Sequence, residues 1–422
     1  MFGYNHRHFM VARLSSGSDA ILQEANKCVA CGLCLPHCPT YKKTQNENES
    51  PRGRIALMRG LALGELDATR NLRAHLDLCL SCRACERICP SQVRYGALHD
   101  ATLSTIAHTR TESSLLRYLF AAVTRPRALA MQLRLASLSG VRAAMSLPIV
   151  RRTRLGRLLA QLPNATAWRE HEPSYPAPTP RGDVMLFLGC VTRAADSETL
   201  QSAIRVLNAL GYNVHIPKNQ GCCGGLHLHT GRMDEARNLC TMNVRAFDDS
   251  SEWPIISVAS GCGATLHDYE SLCDKKAGVP FARRIVDISA FLTNTQWPPN
   301  VRLRPWKARI AVHDPCSLKN VLRQAANPYR LLQRIPEVEV MALADNETCC
   351  GAAGSYFLAQ PTMADALRAD KLSSIRKTRP DIVASSNVGC AFYLAAGLRS
   401  ADYPLEVVHP VTLIARQLAL PE

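Results

Sequence analysis

Cysteine spacing constrains this chain more than any other feature. Cys28-x2-Cys31-x2-Cys34-x3-Cys38-Pro39 recurs as Cys79-x2-Cys82-x2-Cys85-x3-Cys89-Pro90. Three thiolates at two-residue intervals wrap three irons of one cubane cluster, and the fourth, set apart by the proline after it, serves the neighbouring cube. The pattern predicts two [4Fe–4S] clusters, the first held by Cys28, Cys31, Cys34 and Cys89, the second by Cys79, Cys82, Cys85 and Cys38. Zinc sites also use Cys-x2-Cys, but zinc closes with four ligands and leaves the third cysteine and the Cys-Pro of each copy without a use. Residues 39–78 separate the two runs and carry helical patterning over 54–66 and 71–78. An α-helical ferredoxin-type domain over 1–108 is therefore expected.

Eight of the other ten cysteines form a second pattern. Cys190, Cys222, Cys223 and Cys262 are one set, and Cys316, Cys349, Cys350 and Cys390 the other, with offsets of 126, 127 and 128 residues between first, second and fourth members. Around them the same order of elements repeats. A short apolar strand ends near the first cysteine, then come a helix (197–210; 318–334), a strand (213–216; 339–341), a Cys-Cys-Gly turn, a helix (233–247; 362–375) and a third strand (254–259; 381–385). Landmarks in such near-constant register indicate duplication, and strands alternating with helices predict two parallel α/β lobes, 182–300 and 301–422. The whole is an α+β multidomain chain. Each lobe brings four thiols to strand ends, where α/β folds place their sites, and four thiolates suit a further iron–sulfur cluster or zinc. Cys240 and Cys273 fall outside both patterns and read as ordinary thiols.

Composition bounds the remaining readings. A length of 422 residues with 47% hydrophobic content allows two to three domains with substantial cores and excludes disorder throughout. The chain is too long for a small secreted disulfide scaffold, and no secretory signal or cleaved presequence is expected before Cys28. In a reducing compartment, thiols at patterned spacings imply metal. No apolar stretch reaches the length of a transmembrane helix. The net charge of +15 favours an anionic partner. Much of it lies in 109–162, a segment with ten arginines and one acid, Glu112. Apolar residues alternate with these arginines at helical spacing. The segment reads either as a solvated helical face packed on the ferredoxin domain or as a docking surface for anionic lipid or an acidic subunit. Nucleic acid is not expected, since Tyr118 and Phe120 are its only aromatics for stacking. Five prolines in 163–181 rule out a helix and read as a linker.

These residues carry a resemblance. Cys28-Val-Ala-Cys-Gly-Leu-Cys-Leu-Pro-His-Cys-Pro-Thr-Tyr41, Ser50-Pro-Arg-Gly-Arg54, Gly221-Cys-Cys-Gly-Gly-Leu-His-Leu-His229, Ser260-Gly-Cys-Gly263, His313-Asp-Pro-Cys316 and Cys349-Cys-Gly-Ala-Ala-Gly-Ser-Tyr356 together resemble the iron–sulfur subunits of glycolate oxidase (glycolate dehydrogenase). The resemblance implies an electron-transfer subunit whose FAD-binding partner subunits oxidise glycolate to glyoxylate. Electrons would pass on toward a quinone, and the complex would be cytoplasmic, peripheral at the inner face of the membrane. Equivalent subunits of D-lactate or glycerol-3-phosphate dehydrogenases are alternatives. So is a thiol–disulfide reductase like heterodisulfide reductase, but its motif ends Cys-x2-Cys, and here Thr265 and Tyr393 stand at the final position.

His227, His229, His313 and His409 lie near the Cys-Cys-Gly turns in sequence and are candidate contacts to a cluster or quinone. No dinucleotide, Walker or nucleophile-elbow motif occurs. No catalytic residue is therefore assigned to the chain, which is expected to be inactive alone.

Overall fold

A computed structural model describes residues 18–107, 114–136, 153–161, 168–248 and 252–419. The chain divides into two compact units, residues 1–112 with 226–235, and residues 113–225 with 236–422.

The first unit is helical. Ser50 caps the helix Pro51–Leu63 by accepting from Gly53 N, with Pro51 at its first position and Gly64 closing it in a left-handed conformation. Thr69 caps Arg70–Asp77 in the same way. Both follow the usual terminal chemistry of helices. Helices Ala84–Ile88 and Tyr95–Thr105 complete the unit around the second cysteine run. Met58, Leu72, Leu76, Val93 and Leu98 form its core, with Cys28, Cys79, Cys85 and Cys89 packed against it.

The second unit contains both lobes. In the first, β1 (Ser174–Tyr175), β2 (Gly182–Phe187), β3 (Tyr212–His215), β4 (Ile255–Ser257) and β5 (Ile285–Asp287) form a sheet ordered β1-β3-β2-β4-β5. In the second, β6 (Arg309–His313), β7 (Glu339–Ala342), β8 (Ile382–Ser385) and β9 (Val407–Val408) are ordered β7-β6-β8-β9. All pairings are parallel except β1 with β3. The central strands β2 and β6 carry the unbroken apolar runs 184–187 and 310–312, as strands covered on both faces do. One core joins the lobes: Leu186, Leu200 and Leu207 belong to the same cluster as Val312, Leu331 and Leu413. The helix Ser197–Ala209 of the first lobe packs on Pro410–Gln417 of the second.

Three expectations are corrected. The helix expected over 318–334 is split into a π-helical turn, Ser317–Val321, and a helix Ala326–Leu332. Arg323 adopts a left-handed φ between them, and Pro328, with no N–H to donate, sits in the first turn of the second piece. The 163–181 stretch is not purely a linker, because Ser174–Tyr175 adds an antiparallel edge strand to the first sheet. The described parts of the Arg-rich segment, 114–136 and 153–161, group with the second unit rather than with the ferredoxin unit. Its helix Pro126–Ala136 packs on Cys190–Ala195, and Arg157 pairs with Asp365 at 2.7 Å. Residues 109–113, 137–152 and 162 of that segment lie outside the described residues.

Candidate metal centres

In the ferredoxin unit the two cysteine runs share one backbone device. Ala30 and Gly32 in the first run, and Ser81 and Arg83 in the second, all take positive φ. Such residues reverse the chain between successive cysteines, so the sulfurs turn inward. Gly32 suits this conformation at no steric cost. Cys28, Cys31, Cys34 and Cys89 line one cavity, with Cys85 also on its wall.

Cys38 points elsewhere. It is buried, with its Sγ 3.2 Å from Thr40 Oγ1, and it interacts electrostatically with Cys79 and Cys85 as well as with Cys34. Arg54, 1% exposed, lies beside the same thiols. Its guanidinium donates to Glu49 Oε2 at 2.5 Å, Thr40 Oγ1 at 3.1 Å and the His75 carbonyl at 2.7 Å. Tyr95 O–H donates to Cys79 Sγ at 3.7 Å. Burial first, then neighbouring thiols, push Cys85 well above the ordinary thiol range, and burial pushes Cys34 up to about 11. Left bare, these thiols would stay protonated. Bound to iron they ionise, because the cation supplies the missing charge. A donor set of cysteines alone fits iron–sulfur clusters.

In each lobe the four thiols form a chain of neighbours. Cys190 Sγ lies 3.5 Å from Cys222 Sγ, Cys222 faces Cys223, and Cys223 faces Cys262. In the second lobe Cys316 faces Cys349, Cys349 faces Cys350, and Cys350 faces Cys390. Gly224 and Gly351 have φ of +84° and +88°, and each donates its N–H to the sulfur two residues before it at 3.4 Å.

A side-chain amide ties each turn to its central strand. Gln220 accepts from Leu188 N at 2.8 Å and donates to the Leu186 carbonyl at 3.1 Å. Asn346 accepts from Asp314 N at 3.2 Å and donates to the Val312 carbonyl at 2.7 Å. No spacing points to these amides, since Gln220 lies two residues before its Cys-Cys pair and Asn346 three; Arg54 lies in the Ser50–Arg54 stretch, but nothing there shows that it faces the thiols.

Behind the first-lobe turn, Asn243 is fully buried. It accepts from Gly221 N, donates to the Cys222 carbonyl at 2.9 Å, and meets Tyr269, whose hydroxyl donates to the Cys223 carbonyl at 2.9 Å. The corresponding helix of the second lobe buries Lys371, which donates to the Asp345 carbonyl and lies in the field of Cys350 and Cys349. The two sites adjoin: Ser260, two residues before Cys262, hydrogen-bonds Ser317, beside Cys316, at 2.9 Å.

The histidines part company. The His313 ring joins the second-lobe thiols, and burial holds it neutral, with its pKa down to about 3. His229 pairs with Asp100 at 3.1 Å. His409 caps the helix Pro410–Gln417 by accepting from Val411 N. His227 is buried. Cys240 and Cys273 are not ordinary thiols: they form a disulfide with Cα atoms 6.1 Å apart. Sequence gave no sign of this, because the helix Tyr269–Leu272 delivers Cys273 to Cys240 only in the folded chain.

Comparison with known proteins agrees with this arrangement. Residues 24–93 match the 4Fe-4S dicluster domain model, and residues 184–267 and 310–395 each match the cysteine-rich domain model. The chain is 29% identical to the probable glycolate oxidase iron-sulfur subunit of Bacillus subtilis, covering 89% of each chain. It is 29% identical to the glycolate oxidase iron-sulfur subunit of Escherichia coli, over 93% of this chain and 94% of that protein. It is also 22% identical to lactate utilization protein A 2 of Bacillus cereus, over 56% of this chain and 99% of that protein. The chain thus carries a dicluster domain followed by two cysteine-rich domains, and over about nine-tenths of its length it is similar to glycolate oxidase iron–sulfur subunits.

Proposed function

We propose that this chain is the electron-transfer subunit of a glycolate dehydrogenase complex, accepting electrons from flavin-bearing partner subunits and delivering them toward a quinone. The observation that carries the reading is similarity to two glycolate oxidase iron-sulfur subunits over about nine-tenths of the chain. When bound, the clusters would supply one-electron carriers. Cys28, Cys31, Cys34 and Cys89 would hold the first cube, and Cys79, Cys82, Cys85 and Cys38 the second. The shared cavity of Cys28, Cys31, Cys34 and Cys89 and the nearness of Cys38 to Cys79 support this crossed assignment. Arg54 places a permanent positive charge beside the second set and offsets part of its negative charge. The eight lobe thiols would hold further metal, and the Ser260–Ser317 contact sets the two lobe sites side by side. Among the described residues no helix is long and apolar enough to cross a membrane, so contact with a quinone pool would run through partners or a peripheral surface.

The test is reduction of anaerobically prepared protein by glycolate with and without its flavoprotein partners, followed by EPR. Cluster reduction should require the partners. Glycolate oxidation by the flavin-free chain alone would overturn the relay reading, and reduction by D-lactate but not glycolate would move the complex to the alternative substrate.

A further inference from the structure

A buried histidine sets the second lobe apart. His313 ends β6, is 2% exposed, and pairs in register with Ser385 on β8. A ring nitrogen of His313 and the sulfurs of Cys350 and Cys390 all lie within 4.8 Å of one another. Among the described residues this is the one group of three or more histidine, cysteine or carboxylate donors gathered so closely. Nδ1 lies 3.2 Å from Ser385 Oγ. A partner on one ring nitrogen is what orients a metal-bound imidazole, leaving the other nitrogen to ligate. In the first lobe the duplication register puts Phe187 at this place, paired with Ser257 on β4.

We propose that the second lobe binds a transition metal through a mixed set, His313 Nε2 with the Cys350 and Cys390 thiolates, whereas the first lobe offers thiolates only at the corresponding place. The inference rests on the reading of the Cys-Cys-Gly lobes as metal sites and adds a nitrogen ligand to one of them. Two thiolates and an imidazole suit zinc or iron and disfavour calcium and magnesium, which take oxygen. Cys349, which adjoins both Cys316 and Cys350, is within the same group of thiols and can complete a four-coordinate site. On zinc such a set makes a closed structural centre. On iron, exchange of an anionic thiolate for a neutral imidazole favours the reduced state, as it does where histidine replaces cysteine in other clusters. Buried Lys371 beside the same turn acts in the same direction. The second-lobe centre would then be the more readily reduced of the two.

The test uses full-length, anaerobically prepared protein: wild type, His313→Phe, which installs the first-lobe residue, and His313→Cys, which keeps a donor. X-ray absorption at the zinc edge reports a zinc centre, and pulsed EPR on protein labelled with 15N-histidine reports an iron centre. The wild type should show either a nitrogen shell at about 2.0–2.1 Å beside sulfur at about 2.3 Å, or a directly bound histidine nitrogen coupled to the iron spin. In His313→Phe that signature should vanish and the metal of one site should be lost. In His313→Cys the metal should remain with sulfur in place of nitrogen. The wild-type spectra need no variant, so the proposal stays testable even if His313→Phe does not fold. Sulfur-only spectra in the wild type, or a nitrogen signature that survives both substitutions, would overturn the assignment of His313. Metal beyond the ferredoxin irons would then leave the wider reading standing, and its absence would bring down both.

Discussion

At the end of its central strand the first lobe has Phe187, and behind its Cys-Cys-Gly turn it buries Asn243. The second lobe has His313 and Lys371 in those places. The scaffolds around these pairs match closely: the same order of the four parallel strands, the same glycine conformation in the turn, and a side-chain amide, Gln220 or Asn346, joining turn to strand. What differs is the charge and donor chemistry facing the thiols. A duplicated fold has kept the parts that position four sulfurs and has varied the parts that decide what those sulfurs hold. The first lobe also carries features without a counterpart, the Cys240–Cys273 disulfide and the half-buried Asp196, whose place in the second lobe is taken by Leu322.

The disulfide offers the largest test of this contrast. It closes a loop with a sequence separation of 33 residues, and a loop of that length corresponds to about 3–4 kcal/mol of chain-entropy stabilisation. Cys240→Ala with Cys273→Ala, or a reductant that spares bound metal, should lower protection of first-lobe amides in hydrogen exchange and leave β6 and β8 unchanged. Equal loss in both lobes would show that they unfold as one unit, as their shared core permits.

Glycine substitution should separate the lobes next. A Cβ at Gly351 would lie 2.6 Å from the Ala364 carbonyl oxygen, whereas at Gly224 the nearest atoms, on Ala236, are 3.4 Å away. Both positions have positive φ, which costs a non-glycine residue about 1–2 kcal/mol. Gly351→Ala should therefore destabilise by clearly more than that, and Gly224→Ala by about that amount, in urea unfolding. Equal effects would mean that the second-lobe turn relaxes around the added methyl.

The paired amides should behave alike. Gln220→Ala and Asn346→Ala each strand backbone groups at the central strand end, at about 1–3 kcal/mol. Each also loses one further partner, Gln220→Ala the Pro217 carbonyl and Asn346→Ala the Tyr329 hydroxyl, so the two costs should be similar. The last test is one of pH. Burial raises the Asp196 carboxyl from 3.8 to about 7, so between those values the folded chain holds a proton that the unfolded chain has lost. Stability contributed by protonated Asp196 thus falls as pH rises through this window. Asp196→Asn should match the wild type near pH 4 and exceed it above pH 7, by thermal unfolding. A constant difference across that range would remove Asp196 as the cause.

Much of the site was legible because its signal is local. The ferredoxin runs, the Cys-Cys-Gly turns and their register announce themselves as spacings, and the strands that carry them are short apolar runs. The residues that were missed act across distance. Arg54 reaches the carbonyl of His75, Asn243 meets Tyr269, and Lys371 meets the carbonyl of Asp345. None of these pairs has a fixed sequence interval. The π-helical break after Cys316 and the edge strand in the proline-rich stretch were missed for a related reason, since packing overrode local propensity.

Sequence by itself determined which thiols belong together, that the lobes are a duplication, and that strands and helices alternate. Each of these is written in intervals along the chain, and the backbone periodicities of helix and strand convert intervals into faces. Only the tertiary structure decided that the Arg-rich helices join the lobes, that Cys240 finds Cys273, and that His313 rather than His229 or His409 reaches the thiols. Those outcomes depend on which surfaces pack when a shared core is buried, and a buried neighbour can come from any distance along the chain.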